Sequence, residues 1–142
     1  MNEYLEINVS GESTAIIEAK DAIEAFCARR RLPQRVALSL SLAVDELLAN
    51  VLNHGGAETG AAPDIRLRVR LEKAQLITEL SDSGRPFNPL DAPPPELDLD
   101  LDDKPIGGLG IHLVRQLMDE VQYCREGARN RVTLRQRLSE AD

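Results

Sequence analysis

The stretch Ile65-Arg66-Leu67-Arg68-Val69-Arg70-Leu71 alternates apolar and charged residues through seven positions. Successive side chains of a strand point to opposite faces, so this pattern specifies a strand with one face buried and the other in water. A short polar turn around Glu72-Lys73-Ala74 leads into Gln75 to Leu80, and the two segments are predicted to pair as a hairpin. Leu5-Glu6-Ile7-Asn8-Val9 alternates in the same way. Val121 to Arg125 and Arg131 to Leu138 form a further predicted hairpin, joined by Glu126-Gly127-Ala128-Arg129-Asn130. A sheet of such strands needs a layer over one of its faces.

Three segments have the period to supply that layer. From about Ser13 to Arg31, the residues Ile16, Ala19, Ile23, Phe26 and Cys27 recur at helical spacing. Leu32-Pro33 ends this helix, because the residue before a proline is pushed out of the helical region, and Pro33 suits the first turn of the next. The second helix holds Val36, Leu40, Ala43, Val44, Leu47, Leu48 and Val51, and stops at Gly55-Gly56. Gly107 to Gly110 opens a third, with Ile111, Val114, Leu117 and Met118 on one face. Three helices and about five mostly antiparallel strands predict helices packed on one face of a sheet.

The 142 residues contain no internal repeat and no interdomain linker, so one domain, 1–142, is expected. Two Phe, two Tyr and no Trp leave the core to aliphatic side chains. No long apolar run or basic-then-apolar start was found, and the expectation is a cytoplasmic protein without a membrane segment. Cys27 and Cys124 lack the close spacing of a zinc site, and Cys27 reads as a reduced core residue. The net charge of −7 is local: Asp91, Glu96, Asp98, Asp100, Asp102 and Asp103 account for six units of it. With three consecutive prolines at Pro93-Pro94-Pro95, this region is expected to be a mobile loop. An acidic chain with few aromatics is a poor partner for nucleic acid. Arg29-Arg30-Arg31 reads as a solvated helix end or, alternatively, as an electrostatic patch for an acidic protein.

Three clusters have chemical potential. Glu46, Asn50 and His54 lie four residues apart, along one stripe of the second helix. A carboxylate and a carboxamide one turn apart suit a base and a magnesium ligand, although the same spacing also suits a solvated face. Asp82-Ser83-Gly84-Arg85-Pro86-Phe87 follows a predicted strand. A carboxylate there can accept a hydrogen bond from an adenine amino group and disfavour the guanine carbonyl, or simply shape an Asp-x-Gly turn. Gly107-Gly108-Leu109-Gly110 bares backbone N–H groups at a helix N-terminus, which suits phosphate or a hinge. The dinucleotide fingerprint fails at Leu113, and the P-loop ending and the eukaryotic protein-kinase triplets are missing.

In their order, these segments resemble the boxes of the Bergerat-fold ATPases, the superfamily of gyrase and the histidine kinases. Ala43 to His54 resembles the N box, Asp82 to Pro89 (DSGRPFNP) the first glycine box, and Gly107 to Val121 (GGLGIHLVRQLMDEV) the second, in the form seen in anti-sigma factor serine/threonine kinases. The resemblance implies a two-layer α/β (α+β) sandwich with a mixed, mostly antiparallel sheet and ATP held between the second helix and the loop before the third. It implies Glu46 as the catalytic base and Asn50 as a Mg²⁺ ligand. Asp82 would recognise adenine and Gly84 permit its approach; Gly108 and Gly110 would line the phosphates. His54, Phe87, Gly107, Leu109 and, on the last hairpin, Thr133 complete the implied nucleotide site, and about 91–106 would be a lid. The implied activity is phosphorylation of an anti-sigma factor antagonist, with binding of a sigma factor or similar regulator and a possible homodimer. The alternatives are a nucleotide-gated binding module with little phosphotransfer, and a histidine-kinase-type catalytic domain acting on a separate phosphoacceptor.

Overall fold

The computed structural model describes residues 4–9, 14–54, 63–91 and 108–138. Strands β1 (Tyr4–Val9), β2 (Ile65–Glu72), β3 (Gln75–Asp82), β4 (Glu120–Glu126) and β5 (Arg129–Arg137) form one sheet in the order β1-β2-β3-β5-β4. Every pairing in it is antiparallel. Helices α1 (Ala15–Arg29), α2 (Gln34–His54) and α3 (Gly108–Leu117) supply the second layer, giving the two-layer sandwich.

Period-two alternation decides which face they cover. Ile65, Leu67 and Val69 of β2 are buried, as are Leu76, Leu80 and Asp82 of β3 and Val132 and Leu134 of β5. They join Ile23 and Phe26 of α1, Leu40, Leu47 and Leu48 of α2, and Val114 of α3 in one aliphatic core. Burying a Leu, Ile or Phe side chain contributes roughly 1.5–3 kcal/mol, so this single cluster supplies most of the driving force. α2 is apolar enough over Gln34–Asn53 to pass a membrane-span test on length and mean hydropathy, 1.4, although half of that window is buried within the fold. Cys27 is buried and free, its thiol pKa raised by desolvation, whereas the free Cys124 is exposed.

The other face of the sheet is held by ion pairs. Arg68 meets Glu6 at 3.0 Å, Arg70 meets Glu79 at 2.6 Å, Arg131 meets Glu126 at 2.7 Å and Arg135 meets Glu120 at 3.1 Å. Hydrogen bonds to Glu79 and then Glu72 raise the pKa of the Arg70 guanidinium. Ile77 on this face is nonetheless only 2% exposed, flanked in register by Arg70 and Arg135. Arginine stems shelter an apolar side chain while the charged heads stay in water.

Local geometry departs from the sequence expectation at the first helix end. α1 stops before Leu32-Pro33: Arg31 takes φ 55°, Leu32 N–H donates to the Cys27 carbonyl at 3.0 Å and Arg31 N–H to that of Ala28 at 3.1 Å. This is a Schellman cap, with arginine at the position glycine prefers. Pro33 precedes α2, its carbonyl accepting from the N–H of Val36 at 3.0 Å. The final hairpin is also tighter than expected, since Glu126 pairs directly with Arg129. In the β2–β3 turn, Lys73 sits at φ 55°. Left-handed backbone costs an L-residue roughly 1–2 kcal/mol, part of which glycine returns as unfolded-chain entropy. Lys73→Gly should therefore raise unfolding stability by about 0.5–1 kcal/mol, read as a higher urea midpoint at unchanged slope, and Lys73→Val should lower it.

Candidate functional site

Two anchors set the positions of α2 and α3. At the start of α2, the Val36 carbonyl accepts from Gln136 Nε2 of β5 at 3.1 Å. Just beyond α3, Asp119 N–H donates to the Arg135 carbonyl at 2.9 Å, and Asp119 Oδ2 accepts from Arg137 N–H at 2.7 Å. Both helices are thus pinned at the same end of β5. Glu46 lies about 15 Å along α2 from Val36, and there the helices meet. A Cβ on Gly110 would overlap the Glu46 carboxyl, so glycine is what admits this side chain against the first turn of α3. Unpaired N–H groups of a first helical turn favour a carboxylate.

Asn50, one turn further along α2, is 8% exposed. Neither Glu46 nor Asn50 makes a side-chain hydrogen bond or ion pair among the described residues. The Asn50 amide is not among the fully buried unpaired polar atoms, so it is left open to solvent or to a ligand. Neighbouring Asp45 is occupied differently, pairing with Lys20 of α1 at 3.2 Å.

The far end of the sheet is organised around Asp82, buried at the last position of β3. Its Oδ1 accepts from Gly84 N–H at 2.9 Å and from Asn130 Nδ2 at 3.1 Å. Both bonds fall on one oxygen, which leaves Oδ2 without a partner among the described residues. Asn130 stands opposite Asp82 in the β3–β5 register and is 3% exposed. Its Nδ2 also donates to the Arg85 carbonyl at 2.8 Å, and its Oδ1 accepts from Tyr123 Oη at 2.6 Å, Phe87 N–H at 3.2 Å and Arg125 at 3.2 Å. Arg125 in turn donates to the Gly84 carbonyl at 2.9 Å. One carboxamide therefore ties β3, the 83–87 turn and the β4–β5 hairpin together. Arg115 of α3 donates to the Leu90 carbonyl at 2.7 Å, joining the end of this loop to the third helix.

The structure thus brings Glu46 together with Gly110, and Asp82 with Gly84 and Phe87. Thr133 is not brought to them. It pairs with Glu79 and Gln122 on the ion-paired face, because it is an odd number of residues from Asn130 and so points to the opposite side of the sheet. The residue beside Asp82 is Asn130, a carboxamide that looked like hairpin loop in the sequence. Cross-strand register, not residue type, puts it there. Gly107 and the expected lid beyond Asp91 lie outside the described residues, as do the side chains of His54 and Leu109; Gly108 begins α3. Among the described residues, no group of three His, Cys, Asp or Glu is placed to hold a metal ion.

Residues 9–136 match the histidine kinase-like ATPase domain. The chain belongs to that family. It is 31% identical over 132 residues to the serine/threonine-protein kinase BtrW of Bordetella bronchiseptica, covering 93% of this chain and 91% of that one. Among solved structures, it is similar to the RsbU and RsbW domains of Rv1364c from Mycobacterium tuberculosis, with a TM-score of 0.70 at 15% identity. That match covers 95% of this chain and 32% of the longer protein. A blue-light activated histidine kinase of Erythrobacter litoralis gives a TM-score of 0.55 at 22% identity over 88% of this chain and 60% of the other. In this histidine kinase-like ATPase domain, the hub at Asn130 is the feature on which the Asp82 turn most depends. Asn130→Ala would leave several buried groups unpaired, each costing about 1–3 kcal/mol. The variant should unfold about 2–4 kcal/mol more easily, measured by urea denaturation, with faster amide exchange from Gly84 to Phe87.

Proposed function

We propose that this domain is an ATP-dependent serine/threonine protein kinase of the anti-sigma-factor type. It phosphorylates an anti-sigma factor antagonist protein and binds a sigma factor or similar regulator, acting in the cytoplasm as a single domain of residues 1–142. The observation that carries this reading is Glu46, whose carboxyl lies against Gly110 with no partner among the described residues, one helical turn from the equally unengaged Asn50. The kinship with BtrW, a serine/threonine-protein kinase by name, supports it.

The residues fit the groups such a reaction needs. Asp82 Oδ2 is an unengaged carboxylate oxygen suited to accept from the adenine amino group, while Gly84 keeps its approach clear of a side chain. Asn50 Oδ1 is a hard oxygen ligand of the kind Mg²⁺ takes singly or in pairs, the remaining positions going to phosphate and water. Mg²⁺ held there would supply charge neutralisation for the phosphates. Gly108 and Gly110 present the α3 N-terminus to anionic phosphate. Glu46 then accepts the proton of the substrate seryl or threonyl hydroxyl as its oxygen bonds to the γ-phosphorus and the bond to the β–γ bridging oxygen breaks, ADP leaving.

Two measurements test this. Calorimetry should find magnesium-dependent ATP and ADP binding with GTP far weaker. Asp82→Asn should lose adenine binding, because a carboxamide can turn N–H groups toward the base amino group. Equal ATP and GTP affinities would remove Asp82 from this role. Single-turnover transfer of labelled phosphate to proteins encoded beside this gene separates the jobs of the α2 residues. Glu46→Gln should slow transfer by about 10²–10⁴-fold with nucleotide affinity retained. Asn50→Ala should weaken the magnesium-dependent part of nucleotide binding and lower transfer with it. Transfer by Glu46→Gln at the wild-type rate would exclude the base assignment. Partner binding that needs ATP, without any transfer by the wild type, would establish the nucleotide-gated module instead.

A further inference from the structure

Another surface feature lies on the α1 side of α2. A groove of about 440 Å³ runs between the outward faces of α1 and α2, lined by Cys27, Ala28, Ala37, Leu38, Ser41 and Leu42 among others. Ser41 is about 140° around α2 from Glu46 and Leu38 about 80°, whereas Leu42, one turn before Glu46, is only about 40° away and marks the border between the groove and the side of the helix that carries Glu46. Leu38 is 59% exposed and Leu42 39%, two of the few large apolar side chains in the described residues that the fold leaves in water. Ser41 is 5% exposed, and its buried Oγ has no hydrogen-bond partner, not even the preceding helical turn.

The groove is also charged unevenly along its length. α1 and α2 run antiparallel, held by Lys20–Asp45 at 3.2 Å. Beyond Ala28, at one end, stand Arg29, Arg30 and Arg31, none of them paired with an acid among the described residues; Arg30 lies 5.8 Å from the Phe26 ring centroid. Toward the other end of α1 stand Asp21 and Glu24, likewise without ion pairs. A helix has the complementary polarity, its N-terminus partly positive and its C-terminal carbonyls partly negative. Two copies of this chain meeting groove to groove would leave both concavities empty, whereas a convex helix fills one.

We propose that this α1–α2 groove binds an amphipathic helix of a partner protein, its apolar stripe on Leu38 and Leu42 and its acidic C-terminal end at Arg29–Arg31. The helix lies parallel to α1, over the outward faces of α1 and α2. This surface does not depend on the kinase reading, since none of its residues belongs to the nucleotide site.

The probe is a stapled helical peptide of about 15 residues with leucines at i, i+3 and i+7 and glutamates in its last turn, against a twin bearing lysines there. Added to the full chain, the acidic peptide should shift amide resonances of Ala28, Leu38, Ser41 and Leu42 and bind more tightly at low salt. Leu42→Glu should weaken it about tenfold or more, and the paired Arg29→Glu, Arg31→Glu variant should lower affinity similarly and switch preference to the lysine peptide. Both changes are on the surface, and unchanged ATP affinity and melting temperature verify the fold independently of any kinase activity. Equal affinity for the two peptides, shifts elsewhere, or wild-type binding by the arginine variant would overturn the proposal. So would a wild-type dimer that Leu42→Glu dissociates, which would make a second copy the occupant.

Discussion

The sheet can bury only one of its faces, and the position of every functional group follows from that. Alternation along β2, β3 and β5 sends Leu67, Val69, Leu76, Leu80 and Leu134 toward the helices, and arginines and glutamates toward water. Because the covered face is continuous to the end of β3, its last residue, Asp82, is carried inside with the apolar ones. A carboxylate buried there is tolerable only if its lone pairs are used, and Asn130 and the Gly84 N–H use half of them. The same packing requirement that makes the core therefore creates a partly satisfied acceptor at its rim.

The helices solve the complementary problem. α2 must be apolar on the flank that meets the sheet, which restricts its polar residues to the remaining surface, and Glu46 and Asn50 fall on the side facing α3. Glycine at 110 makes room for the Glu46 carboxyl; any larger residue would push it out of the seam between the helices. Asp45, only one position away, turns to α1 and pairs with Lys20. Adjacent acids on one helix thus acquire different tasks from the two neighbours the helix touches. The flank toward α1, with its unpaired Ser41 hydroxyl and exposed leucines, presents a second surface from the same element.

Much of this was legible in the sequence because it rests on periodicity. The alternation from Ile65 to Leu71 and the helical spacing of Ile23, Phe26, Leu40 and Leu47 fixed strand, helices and the covered face together. The order of the three boxes pointed to the family that residues 9–136 match. Less legible was anything set by cross-strand register. Thr133 was matched along the chain, but a strand places side chains by parity, and the residue opposite Asp82 is Asn130. The Arg31 cap was equally hidden, since its left-handed backbone is imposed by the Schellman hydrogen bonds to Cys27 and Ala28 and not by the residue itself.

In the proposed mechanism Glu46 acts from the position it takes against Gly110. Gly110 itself is only partly buried. The direct measurement is the single-turnover phosphotransfer rate of Gly110→Ala, alongside its melting temperature and ATP affinity. A methyl group there displaces the Glu46 carboxyl, and a displacement of about 1 Å in a reacting group is worth on the order of 10²-fold in rate. A fall of that size is expected in a folded protein that still binds ATP. Transfer at the wild-type rate, in a variant carrying the extra methyl, would contradict it.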